Sequence, residues 1–399
     1  MEMMNNLPDY HVEIDIEQKK PNGQVACGDV FVSKRIKEEG RTILVMSDGI
    51  GHGVKASVLA TLTAAMAINY STFHTKPDIA ARIIMRALPK SSDGLENYAT
   101  FTIIEIESDG KVRIINYDNP KTIILRGNKV FNPSGYLMEI QGVENAGKIL
   151  RCREFIARKE DRIIFMSDGV PQSGLGSKRY PMGWGRDNVK EFIISQVTRM
   201  PDMSATKLAR KIINQANMND EFNVKDDTTC GVIYFREPRE FMLITGPPFY
   251  KIKDYEFVNT IRNFKGKKVI CGGTTSEIVA REMELELKSD TRSYEVAMPP
   301  KAKMDGFELV SEGLLTIGRV EEILENYTSE TRLGDTPADD IVRLLLDHDI
   351  IHLIVGTRIN WAHQDPEQPV ELEIRKVVVK RIIKLLEEKF FKEVRPDFI

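Results

Sequence analysis

The sequence predicts a multi-domain α/β protein, and three observations predict it. Two apolar runs end in the same tetrapeptide, Met46-Ser47-Asp48-Gly49 and Met166-Ser167-Asp168-Gly169. A short charged linker containing proline, Arg236-Glu237-Pro238-Arg239-Glu240, interrupts the chain past its middle. Beyond it, strand-like and helix-like runs alternate, the grammar of a mainly parallel sheet. The boundaries that follow are 1–238 for a first domain and 239–399 for a smaller α/β domain with a regulatory or ligand-binding role. A length of 399 residues fits two or three domains of ordinary size.

In the first domain each copy of the repeat reads as a buried strand that stops at a carboxylate. Glycine then permits a tight turn and a close backbone approach. Two further acids lie beside apolar runs: Gly28-Asp29 within Val25–Val32, and Asp226-Asp227-Thr228-Thr229 just before Cys230–Phe235. Asp-Gly at a strand end is also ordinary turn chemistry. Four such acids in one domain point instead to one shared cation site. Hard divalent cations such as Mn²⁺ and Mg²⁺ take oxygen ligands. A pair of them clamps the oxygens of a transferring phosphoryl group.

The set Gly28-Asp29, Ser47-Asp48-Gly49-Ile50-Gly51-His52-Gly53, Ser167-Asp168-Gly169-Val170 and Asp226-Asp227-Thr228 resembles the SpoIIE/RsbU-type branch of the metal-dependent PP2C (PPM) serine/threonine phosphatases. The resemblance covers roughly residues 10–236, with the motifs in family order. It implies a PP2C-like αββα sandwich holding two Mn²⁺ or Mg²⁺ ions at one edge of its central sheets. By position, Asp48 would bridge both ions and the Gly49 carbonyl would ligate one. Asp168 and Asp226 would complete the core, with Asp29 acting directly or through water. Either Asp226 or Asp227 supplies the last ligand, and Asp226 is favoured. The chain departs from many bacterial members after Asp168-Gly169-Val170, where Pro171-Gln172-Ser173 replaces an acidic position.

These residue types imply hydrolysis of a phosphomonoester by a hydroxide bridging two divalent metals, with in-line attack and no protein nucleophile. The substrate class implied by the resemblance is phosphoserine or phosphothreonine of a regulatory protein in bacterial signalling. A catalytically weak binding module and a small-molecule phosphatase with specificity from the second domain are the alternatives. His52, four residues beyond Asp48, is a candidate proton donor or a plain turn residue. Lys178 and Arg179, in a Gly- and Pro-containing loop from Gly174 to Gly185, are candidates to meet substrate phosphate. Val54–Tyr70 is apolar nearly all round and reads as a helix buried in the core.

A net charge of −3 provides no electrostatic footprint for nucleic acid or an anionic membrane. The longest apolar stretch, Ala56–Ile68, falls short of the roughly 20 residues that span a bilayer. The four cysteines show no CxxC spacing, which suits reduced thiols and a cytoplasmic location.

In the second domain Phe241–Thr245, Lys268–Cys271, Glu308–Val310 and Ile350–Val355 read as strands. Tyr255–Asn263, Ser276–Leu287, residues 316–325 and 340–346, and a closing amphipathic stretch from Arg375 to Phe391 read as helices, the second with a Ser or Thr N-cap. Ligands bind outside the carboxyl ends of strands in such sheets. Gly272-Gly273-Thr274-Thr275 is therefore the candidate site for a small anionic ligand. The loop Asn360–Pro366 concentrates polar and aromatic residues and is a second candidate. The stripe Val377, Val378, Ile382, Leu385, Leu386 and Phe390 suits either a homodimer interface or intramolecular packing.

Overall fold

A computed structural model describes residues 10–49, 51, 53–88, 99–140, 147–289, 301–328, 331–357, 368–390 and 392–399. The chain forms two units, Met1–Glu237 and Pro238–Ile399. His52 and the loop 360–366 lie outside the described residues.

The first unit runs β1 (His11–Lys19), β2 (Asp29–Ile36), β3 (Arg41–Gly49), α1 (Gly53–Thr72), α2 (Pro77–Ala87), β4 (Ala99–Ile106), β5 (Lys111–Tyr117) and β6 (Ile123–Arg126). It continues with β7 (Lys129–Val130), β8 (Gly135–Glu139), β9 (Ile149–Ile156), β10 (Asp161–Met166), α3 (Gly169–Gln172), α4 (Arg186–Arg199), α5 (Ala205–Asn219) and β11 (Thr228–Arg236). One sheet has the order β1-β11-β10-β6-β7 and the other β2-β3-β4-β5-β9-β8. Strand alternation sorts the side chains into layers. Leu44, Met46, Ile104, Ile163, Phe165, Ile233 and Phe235 fill the space between the sheets. Ile43, Val45, Ile103 and Ile115 pack outward against α1 and α2 through Ala64, Ala67, Ala81 and Ile84. Ile164, Met166 and Val232 pack outward against α4 and α5 through Val189, Ile193, Leu208 and Ile212. The result is a helix–sheet–sheet–helix sandwich.

Two local devices hold it in register. Gly231 faces Phe165 so closely that an added Cβ would stand 2.1 Å from the ring, so glycine is what admits the aromatic between the sheets. Buried Arg41 donates from Nη1 and Nη2 to the Ser71 and Thr72 carbonyls, each at 2.9 Å. It thereby caps the end of α1 from the start of β3.

Helix α1 is not wholly buried, contrary to the sequence expectation. Ala56, Leu59, Ala60, Thr63, Ala64 and Ala67 face the sheet, whereas Val54, Val58 and Leu62 are exposed. A helix in an outer layer of a sandwich has only one face to bury, and composition alone does not reveal the layer.

The second unit runs β12 (Glu240–Thr245), α6 (Asp254–Asn263), β13 (Lys267–Cys271), α7 (Gly273–Met283), β14 (Lys288–Ser289), β15 (Ala302–Lys303), β16 (Leu309–Ser311) and α8 (Leu314–Asn326). It closes with α9 (Pro337–Asp347), β17 (Ile350–Val355), α10 (Gln368–Glu388) and β18 (Glu393–Phe398). The sheet order is β14-β15-β16-β13-β12-β17-β18. The pairs among β16, β13, β12, β17 and β18 are parallel, and the short β14 and β15 add an antiparallel edge. Helices cover both faces: α8, α9 and α10 pack on Phe241, Leu243 and Leu353, while α6 and α7 pack on Met242, Ile244 and Ile270.

Two sequence readings change here, one open alternative closes and one helix start moves. The terminal helix is followed by a six-residue parallel strand, β18, whose Arg-Pro-Asp content hides its β character. Helix α7 is capped by Gly272 rather than by Ser or Thr, with no side-chain cap bond. The apolar stripe of α10 packs within its own unit, with Ile382 and Leu386 buried and Val378, Leu385 and Phe390 partly so, whereas Val377 is exposed and Val379 is buried instead. Helix α9 starts at a capping box, Thr336 with Asp339, which places its first turn at Pro337.

Candidate metal centre

Alternation that builds the core also delivers the acids. Leu44 and Met46 point between the sheets, so Asp48 two residues on falls on the same side; Phe31 does the same for Asp29. Strands β2 and β3 pair with Asp29 opposite Asp48. Like charges placed opposite each other across two strands repel. A cation or a proton must relieve them.

The second sheet contributes from the facing edge. Asp29 is 3% exposed and its Oδ2 accepts from Thr229 Oγ1 of β11 at 2.6 Å. Its Oδ1 is buried without a hydrogen-bond partner. Asp227, also 3% exposed, has both carboxylate oxygens buried without one. The thiol of Cys27, a weak donor, lies near it, and burial with the charges of Asp29 and Asp227 pushes that thiol far up. Asp226 is half-buried and accepts the Asp227 amide on Oδ1 at 2.9 Å. Asp168 follows β10 at the entry to α3, where its Oδ2 accepts from Gln172 Nε2 at 2.8 Å. Within the Pro171-Gln172-Ser173 segment, Gln172 thus orients a carboxylate.

Electrostatics show the five acids drawn to one edge. Burial, then the charges of Asp29, Asp168 and Asp226, push the Asp48 carboxyl up to about 9. Burial lifts Asp29 to about 6, with Asp227 and Asp168 adding to the rise and bonds from Thr229 and Ser167 opposing it. Among the described residues, no three His, Cys, Asp or Glu side chains form a ready-made metal cluster. The carboxylates are gathered at one edge without closing on a single point.

Glycines next to the acids make room for this crowding. An added Cβ would stand 2.6 Å from Asp227 Oδ2 at Gly28, 2.0 Å from the Ala56 carbonyl at Gly49 and 2.3 Å from the Asp227 carbonyl at Gly169. Each is too close for any side chain. The serines of the two repeats are fasteners: Ser47 Oγ donates to the Thr100 carbonyl at 2.9 Å, and Ser167 Oγ accepts the Thr229 amide at 2.9 Å. Thr229, Ser167, Gly28 and Gln172 stand in the quoted motifs, but the sequence assigns none of them a part in holding the acids. The repetition of Ser in both Ser-Asp-Gly copies was the available signal.

The other candidates fall elsewhere. Lys178 and Arg179 are exposed, on a loop tied at its base by Gly174 to Asp220 and by the Trp184 amide to the Ser173 carbonyl. Gly272–Thr275 belong to the second unit at the start of α7.

A two-sheet sandwich with acids converging at one edge of its inner layer defines the class of protein. Residues 38–236 match the family model for Stage II sporulation protein E (SpoIIE), so the first unit carries a domain of that family. No curated protein matches the chain. Among solved structures, it is similar to the PP2C phosphatase domain with a regulatory fragment of SpoIIE from Bacillus subtilis. The identity is 17%, over 57% of this chain and 64% of that one, with a TM-score of 0.46. The RsbU and RsbW domains of Rv1364c from Mycobacterium tuberculosis are similar at 17% identity, over 64% of this chain and 68% of that one, with a TM-score of 0.46. The catalytic domain of the serine/threonine phosphatase PstP, in complex with two manganese ions, is 15% identical over 56% of this chain and 98% of that one, with a TM-score of 0.38. Among the described residues, no helix is long and apolar enough to cross a membrane.

Proposed function

We propose that the first unit is a metal-dependent phosphoprotein phosphatase that hydrolyses phosphoserine or phosphothreonine of a regulatory protein. The observation that carries this reading is the set of buried carboxylate oxygens with no partner: Asp29 Oδ1 and both oxygens of Asp227. Burying an ionised carboxylate without compensation is costly. Oxygen-only donors at one edge fit Mn²⁺ or Mg²⁺ rather than a soft metal. Asp29, Asp48, Asp168 and Asp227 would hold two such ions, with Asp226 beside them and the Gly49 carbonyl within the same turn. Asp227 is preferred over Asp226 because its buried oxygens have only the weak thiol donor of Cys27 beside them.

Bound ions would neutralise the phosphoryl oxygens and lower the pKa of water. This chain's own residues set the stage for that chemistry. Thr229 fixes the Asp29 carboxylate, Ser167 fastens the Thr229 amide beside it, and Gln172 fixes Asp168. A side chain at Gly28 would press on the Asp227 carboxylate, and one at Gly49 on the backbone of α1. Exposed Lys178 and Arg179 suit an acidic substrate surface, and the cytoplasm suits a regulatory phosphoprotein.

The test is hydrolysis of an aryl phosphate and a phosphoserine peptide by metal-stripped protein, with and without Mn²⁺, beside Asp168→Asn. Mn²⁺-dependent turnover lost in Asp168→Asn is the expected result. Equal turnover with and without metal, or in the variant, overturns the reading.

A further inference from the structure

The carboxyl edge of the second unit's sheet is built unlike the edge just described. In register across it lie Ser311, Cys271, Thr245 and Val355, the last residues of β16, β13, β12 and β17. Glycines follow three of these strands directly, and they pack on one another. An added Cβ on Gly356 would meet the Gly246 carbonyl at 2.2 Å, and one on Gly246 would meet the Gly356 carbonyl and Arg375 Nη1, both at 2.7 Å. The strand order places this contact where chain connections diverge, between β12 and β17, the usual ligand crevice of an open parallel sheet.

Two helices, α7 of 11 residues and α8 of 13, begin at this edge with glycine N-caps and no side-chain cap bond. Their first amides and positive dipole ends therefore lack the usual partner. Helix N-termini alone do not make a site. The second observation is the hydroxyls. Thr275 in the first turn of α7, Thr316 in the first turn of α8 and Thr245 at the end of β12 are at most 1% exposed, and none of their Oγ1 atoms has a hydrogen-bond partner. Thr275 Oγ1 is directed at the α7 cap, 3.1 Å from where a Cβ on Gly272 would stand. A buried hydroxyl without a partner costs free energy, and Thr275 Oγ1, aimed at the uncapped start of α7, is placed for an acceptor bound there.

We infer that this edge binds the phosphate group of a small molecule. Phosphate offers acceptor oxygens to the hydroxyls and helix amides, and negative charge to the dipoles and to the Arg375 guanidinium. The amides of Gly272 and Gly356 already serve the Ser311 and Thr245 carbonyls, so the contacts would fall to the helix starts and the threonines. Just past β12, the mutually packed rings of Phe249 and Tyr250 are exposed, offering a surface for the body of an aromatic phosphate ester. The site rests on nothing in the first unit.

The experiment is calorimetric titration of the full chain in EDTA with inorganic phosphate and, separately, with adenosine monophosphate. EDTA leaves the first unit's acids without cations, so they repel both probes. Saturable binding of at least one probe is expected, weakened about tenfold in Thr275→Val with no loss of unliganded thermal stability, because that hydroxyl has no partner to lose. Tighter binding of the monophosphate identifies an ester; equal binding identifies free phosphate as the ligand. Should Thr275→Val fail to fold, Arg375→Gln supplies the same comparison. No binding of either probe at millimolar concentration, or unchanged binding in the folded variant, overturns the inference.

Discussion

The first unit's acidic edge and the second unit's carboxyl edge are written in the same local grammar but differ in the charge of what they suit. Both consist of strands that end at glycines and leave buried oxygens without partners. At the first edge the orphans are carboxylates, on Asp29 and Asp227, so the edge suits a cation. At the second they are hydroxyls, on Thr245, Thr275 and Thr316, beside two helix starts, so the edge suits an anion. Glycine at a strand end therefore signals close approach, and the neighbouring side chains decide what is approached.

The largest expected effect comes from neutralising the orphan. Asp227→Asn should lower Mn²⁺-dependent phosphatase rate by at least about 100-fold, the scale of losing one electrostatic contact to a transition state. The same change should raise the melting temperature of the metal-free chain, because an uncompensated buried charge is removed. Enzyme assay and thermal melts with EDTA check the two signs together. A lower metal-free melting temperature would break the comparison between the edges.

Gly28→Ala is the steric counterpart. Its Cβ would stand 2.6 Å from Asp227 Oδ2. Relief by movement of that carboxylate should cost about 1–3 kcal/mol, typical of overpacking, and weaken Mn²⁺ binding. Titration of Mn²⁺ alongside melts separates displacement of the ligand from general destabilisation.

Proton linkage is the next effect. Asp48 and Asp29 sit at about 9 and about 6 in the metal-free chain, both above the usual carboxylate range. Below those values the carboxyls hold protons that a cation must displace. Mn²⁺ affinity should rise as pH increases from 5 to 9, on the order of tenfold per pH unit for each proton released. Calorimetry in buffers of different ionisation enthalpy counts the protons. The second edge, which holds threonines, should show no such release with phosphate in this range beyond that of the probe itself.

The smallest effect belongs to the second unit's frame. Burial holds the His348 imidazole below its ordinary value, while its Nδ1 lies 2.6 Å from the Leu344 carbonyl. The unfolded chain then binds more protons, so stability is full above about 6.5 and falls as pH drops toward the folded value. Melts of wild type and His348→Gln between pH 7 and 5 should converge as pH falls.

Much of the first edge is legible from residue order alone. Asp29, Asp48 and Asp168 stand beside apolar runs at glycine turns because strand ends are local features, set by period-2 alternation and turn chemistry. The choice between Asp226 and Asp227 is not legible, since adjacent residues on a loop differ only in which one the opposite sheet buries. Thr229 is invisible for a related reason: its bond to Asp29 crosses 200 positions of chain.

The second unit divides in the same way. Its alternating strands and helices, and the glycines after β12, β13 and β17, follow from the sequence by itself. The order that sets β12 between β13 and β17, and so brings Gly246 against Gly356, is decided by how the helices cover both faces of the sheet. Likewise α1 was apolar by composition, yet only the sandwich determined which stripe would be buried and which exposed. Sequence specifies periodicity and the chemistry of each side chain. Burial, opposition and the absence of a partner are properties of surfaces brought together, and they arise only when distant segments pack.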